Sequence, residues 1–220
     1  MKYEELLNHL FEIADKKFAD FSKSLSNSDY ISIGVKNPIL KQLVKDHIKD
    51  EELKTEDFEL GKYLEIDYIY FGLALKRLNK IEEQLEFLEK NIYKAKSWAI
   101  TDTTSTYLKK LSFDNYWKFF KATNDSKYTF TRRMAYILGL KVYKEKEILK
   151  VLDYIKPNEE YMVMMAQAWL LATVAICYPN DIFEYLSSKA DATLKRKTIS
   201  KMCDSFRISD DVKDKFKTLR

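Results

Sequence analysis

Four glycines and three prolines in 220 residues leave this chain few places for the tight turns that a strand-rich fold requires. The scarcity points to long helices joined by short polar turns, and the hydrophobic periodicity agrees. From Tyr3 to Ser24 the apolar residues Leu6, Leu7, Leu10, Phe11, Ile13, Ala14, Phe18 and Phe21 recur at helical spacing, which predicts one long amphipathic helix. A loop is expected from Ser26 to Lys36, closed by Gly34. Asn37-Pro38 then reads as an N-cap and first helical residue ahead of the stripe Ile39, Leu40, Leu43 and Val44. Further helices are expected over 55–64, 67–79, 80–94, 97–111, 114–123, 127–143, 145–155, 159–178, 180–188, 191–206 and 209–218. Asp67, Asn158 and Ser209 stand where caps are expected, because a side-chain oxygen there accepts an otherwise unpaired backbone N–H. Helices of this length with short connections form antiparallel neighbours, recurring about every 30–40 residues. The expected fold class is therefore all-α, an α–α superhelix of HEAT-like antiparallel helix pairs, as a single domain over 1–220, with a closed helical bundle as the alternative.

A chain this long buries a sizeable core, and 46% hydrophobic with 33% charged residues is a globular rather than a disordered composition. Nothing resembles a signal peptide. The most apolar run, Tyr161 to Tyr178, contains Gln167 and several small residues and reads as a buried helix, not a membrane span. Cys177 and Cys203 lack partners at metal-ligand spacing and are expected to be small buried thiols in a cytoplasmic protein. His9 and His47 fall in amphipathic N-terminal helices, so no catalytic histidine is expected. There is no Gly-rich hairpin, metal-ligand cluster or phosphate-cradling loop, hence no metal or cofactor is expected.

The net charge of +4 is unevenly distributed. Residues 1–90 carry 14 basic and 19 acidic side chains, whereas residues 91–220 carry 24 basic and 15 acidic. A positive half suggests a polyanion partner, DNA or RNA, since local clustering sets the field; a lysine-rich solvated surface is the alternative.

Three segments carry candidate chemistry. In Lys96-Ser97-Trp98-Ala99-Ile100-Thr101-Asp102, the four-residue spacing of Trp98 and Asp102 puts carboxylate and indole on one helix face, with Lys96 just ahead. An aspartate inside a helix is mildly unfavourable without a partner or a task, and pairing with a nearby lysine would also satisfy it. Arg132 and Arg133 open a helix that then turns apolar, which by itself is equally a solvated helix end. Trp169 sits among small residues in the most apolar helix, where a core aromatic is the ordinary role.

Taken together, these segments resemble the AlkD-type DNA alkylation-repair glycosylases. The resemblance runs from Gly34-Val35-Lys36-Asn37-Pro38 through the Trp-x-x-x-Asp segment, the arginine-led helix and the Ala-x-Ala-Trp helix to the basic stretch Thr193–Arg207. It implies HEAT-like repeats cradling duplex DNA, and hydrolysis of the N-glycosidic bond of cationic N3- and N7-alkylated purines. It further implies catalytic roles for Asp102, Trp98 and Trp169, and phosphate contact by Arg133, with Arg132 one residue out of register and Lys96 alongside. The expected partner is duplex DNA containing alkylated bases, bound by a monomer without metal, cofactor or membrane. Some relatives carry a second tryptophan where this chain has Ala99, and an arginine where it has Ala172. A non-catalytic HEAT-like DNA-binding protein and a protein-interaction solenoid are the alternative functions.

Overall fold

In the computed structural model, which describes residues 1–26, 28–157 and 159–219, the described chain is helical. Its one β feature among the described residues is an isolated bridge between Ile31 and Tyr63. No helix among them is long and apolar enough to cross a membrane. The backbone forms two compact units, Met1–Lys110 and Leu111–Arg220.

The first unit contains α1 (Tyr3–Glu12), α2 (Lys16–Ser26), α3 (Asn37–Asp46), α4 (Leu64–Arg77), α5 (Ile81–Asn91) and α6 (Trp98–Thr104). The single helix expected from Tyr3 to Ser24 is two. The Asp15 backbone N–H donates to the Gly34 carbonyl at 3.1 Å, and its side chain accepts the Phe18 N–H at 3.1 Å, so the chain breaks and restarts there. Gly34 lies at φ +104°, and a Cβ on it would meet the Asp15 carbonyl oxygen at 2.3 Å, so the contact requires glycine. α3 begins one residue earlier than expected, with Lys36 at the cap and Asn37 already helical. The helix expected over 55–64 shrinks to a 3₁₀ turn at Thr55–Asp57, because the chain reverses through Gly61 at φ +86°.

α4 is the buried centre of this unit and packs on α3 and α6. Its residues from Glu65 to Leu73 are all buried, consistent with a helix apolar on nearly every side. Asp67 is not its cap. The helix starts a turn earlier, after Tyr63, and Asp67 is fully buried within it, accepting hydrogen bonds from the Tyr30 hydroxyl and the Gly61 amide. Glu65 accepts the backbone N–H groups of Ile33, Gly34 and Val35 and the Ser32 hydroxyl, holding the loop ahead of α3.

The second unit contains α7 (Phe113–Thr123), α8 (Thr129–Gly139), a 3₁₀ helix at Lys146–Tyr154 where an ordinary helix was expected, α9 (Tyr161–Val174), α10 (Pro179–Ser188), α11 (Ala192–Cys203) and α12 (Asp210–Lys217). Consecutive helices α7 and α8 pack together, and α9 packs on α8 and α11 at the centre. The helix-on-helix architecture read from periodicity thus holds in each unit. Glu160 is the cap residue of α9, and Asn158 lies outside the described residues. Ser209 stands at the cap position of α12 as expected, but its side chain makes no capping hydrogen bond. Because α9 ends at Val174, Cys177 falls in the following turn and is exposed, while Cys203 at the end of α11 is partly exposed; neither is the buried thiol expected.

Candidate active site

Lys96, Trp98 and Asp102 lie together in the first unit. Ser97 sets their frame. Fully buried, it caps α6 by accepting the Ala99 N–H at 3.2 Å, which fixes where the helix begins and so which face Trp98 and Asp102 share. The Asp102 side chain is half-buried, and Thr101 Oγ1 lies 3.1 Å from its Oδ1 and 3.0 Å from the Trp98 carbonyl oxygen, a single proton shared between two acceptors. The Trp98 indole N–H donates to the Leu25 carbonyl at 3.3 Å, tying the ring to the end of α2.

Trp98 also walls a cavity of about 300 Å³ with Phe21, Leu25, Leu40 and Tyr68. Asp102 does not line it, so the cavity is not where that carboxylate would act. The exposed Lys96 ammonium donates to the Gly61 carbonyl at 3.1 Å. Its charge favours the ionised form of Asp67, but burial dominates there and pushes the Asp67 carboxyl up to about 6, against the hydrogen bonds from Tyr30 and Gly61.

Arg132, Arg133 and Trp169 lie in the second unit. Arg132 donates to the Ser126 carbonyl at 2.7 Å, to Glu160 at 2.8 Å and to Glu159 at 3.3 Å. Its guanidinium therefore already joins the start of α8 to the segment ahead of α9. Arg133 is only 5% exposed, and its guanidinium donates to the Met162 carbonyl at 2.6 Å in the first turn of α9. A carbonyl there is engaged within the helix, so the arginine adds a charge-assisted bond across two helices.

Trp169 is the large residue of α9 that reaches solvent beyond its first turn, at 39% exposure. The core role that composition suggests does not apply to it. It lines a shallow depression with Ala172, Thr173, Lys201, Asp204, Ser205 and Arg207. Here the basic C-terminal stretch meets the tryptophan: Lys201 and Arg207 stand in the same depression. One turn earlier on α11, Lys197 lies over the exposed Tyr161 ring at 5.7 Å. The cations were legible in the sequence; their company with Trp169 was not.

The family model for DNA alkylation repair enzymes matches residues 6–202. The chain belongs to the DNA alkylation repair enzyme family. A solved structure described as a predicted DNA alkylation repair enzyme from Enterococcus faecalis is similar in fold, with a TM-score of 0.67 over 87% of this chain and 98% of that one, at 16% identity. No curated protein matches. In this DNA alkylation repair enzyme family member, sequence reasoning missed the buried acid Glu65 and took the buried Asp67 for a helix cap. Their signal was two carboxylates two residues apart in the otherwise apolar run Leu64–Leu75. Both serve the scaffold around α4 rather than an open surface.

Proposed function

We propose that this protein is a DNA glycosylase that hydrolyses the N-glycosidic bond of cationic N3- and N7-alkylated purines in duplex DNA, acting as a monomer without metal or cofactor. The observation that carries the reading is the half-open Asp102 carboxylate held on one face of α6 with Trp98, in a chain of the DNA alkylation repair family. An alkylated purine is already positively charged and leaves with little acid assistance. The difficulty passes to the deoxyribose, which develops oxocarbenium character as the bond lengthens. A carboxylate beside that carbon stabilises the growing charge, and does so more strongly as water is excluded. Indole faces attract cationic groups by roughly 0.5–2 kcal/mol, so Trp98, beside Asp102, favours the charged sugar over the neutral one; the exposed Trp169 presents a second indole face in the second unit. Phosphate contact is assigned to the exposed Lys96, which positions the duplex without reading its sequence; the guanidinium groups of Arg133 and Arg132, for which the resemblance implies the same role, are engaged between α8 and the start of α9.

A second reading, DNA binding without chemistry, draws on Ala172, which leaves the Trp169 depression without the arginine of some relatives. Incubation with a duplex containing a single N7-methylguanine separates the two. Free base released with turnover supports the glycosylase. Salt-sensitive binding with no release assigns the protein to the second reading.

A further inference from the structure

Phe206 is fully exposed in the turn between α11 and α12, the most open aromatic among the described residues. The turn holds it there. On one side the Ser205 N–H donates to the carbonyl of buried Met202 at 3.1 Å. On the other the Arg207 N–H donates to Ser205 Oγ at 3.3 Å, the Arg207 guanidinium lies over the Tyr143 ring at 5.8 Å, and Ile208 is buried. Both flanks of the ring are thus anchored in the second unit. Its two neighbours, Ser205 and Arg207, line the depression beside Trp169, together with Lys201.

We infer that Phe206 is a base-stacking wedge: its ring inserts against a base of the duplex whose phosphates lie on Lys201 and Arg207. This rests on the DNA reading above and deepens it. An exposed ring beside cations is the complement of a nucleic-acid strand, which sets flat uncharged bases between regularly spaced anions. Asp204 also lines the depression, where its single negative charge is outnumbered by the positive charges of Lys201 and Arg207. A flat apolar protein partner would need a contiguous apolar patch, whereas the residues around Phe206 in this turn are polar or charged.

The test uses a duplex with one 2-aminopurine, whose fluorescence rises when it is unstacked, and the full chain as wild type, Phe206→Ala and Phe206→Trp. The wild type and Phe206→Trp should raise the fluorescence, and Phe206→Ala should not. Phe206→Ala should also bind about tenfold more weakly with an unchanged salt slope, since it removes stacking but no phosphate contact. An undiminished fluorescence rise and affinity in Phe206→Ala would overturn the wedge alone. A wild type that binds no duplex at all would overturn the DNA reading and the wedge with it. Sedimentation showing self-association that Phe206→Ala abolishes would assign the ring to a second copy of the chain, and overturn the wedge.

Discussion

At the scale of single residues, burial and neighbours decide roles that residue type leaves open. Asp67 looks like a helix cap and is a fully buried acid. It ionises near 3.8 in an unfolded chain and near 6 in the folded protein, because burial raises it more than Tyr30 and Gly61 lower it. Between these values the folded state holds a proton that the unfolded state has released. This group's contribution to stability is therefore greatest below the unfolded value, and is lost as pH rises through about 6. The gap between the two ionisation points corresponds to about 3 kcal/mol. Asp67→Asn keeps the shape and cannot ionise. Chemical denaturation should show the stability of the wild type relative to this variant falling by about that amount between pH 4 and 7. A difference independent of pH would show that Asp67 does not titrate as described.

Trp169 makes the same point in reverse. Its sequence neighbours are small and apolar, which suggests a core position, yet it is one of the exposed large side chains. No local pattern distinguishes the two cases. The decision comes from α11, whose Lys201 lies some thirty positions away in the chain and lines the same depression.

At the scale of elements, the periodicity of apolar residues located most helices, and failed where a distant contact intervened. Phe18 and Phe21 continue the stripe of Leu6 and Leu10 in phase, so nothing local marks the break at Asp15. The break exists because Asp15 meets Gly34, nineteen positions later, at the end of a loop that Glu65 holds in place. Conversely α9 was legible as the most apolar helix and is the buried centre of its unit, whereas α4, expected from residue 67, starts at Leu64 and is the buried centre of the other.

The arginine pair is an element-scale feature as well. Arg132 joins the start of α8 to Glu159, Glu160 and the Ser126 carbonyl, and Thr129 adds a further hydrogen bond to Glu160. Removing the guanidinium in Arg132→Ala should cost about 2–3 kcal/mol of stability, because charge-assisted partners are left behind partly buried. Denaturant melts check this. An unchanged midpoint would mean that these bonds contribute nothing, and would leave Arg132 available for phosphate contact.

At the scale of the whole molecule, charge and family membership converge. The second unit carries 20 basic against 14 acidic residues, the excess that the sequence placed in the later part of the chain. Two of its α11 cations, Lys197 and Lys201, stand beside the exposed rings of Tyr161 and Trp169. The first unit contains Asp102 and Trp98. The order of weak motifs from Gly34 to Arg207 was enough to read the family, because each reflects a helix start or an open side chain that the fold keeps. The internal partners of Arg132 and Arg133 were not readable, since they belong to the packing of α8 against α9.

The central claim is that the Asp102 carboxylate drives base release. It is tested most directly by single-turnover release of N7-methylguanine from a duplex, comparing the wild type with Asp102→Asn at equal DNA occupancy. The variant preserves the side-chain shape and removes the negative charge. Release by Asp102→Asn should be at least about a hundredfold slower, the usual effect of removing one preorganised stabilising group, with duplex affinity unchanged or higher. Equal release rates for the two proteins would remove Asp102 from the mechanism.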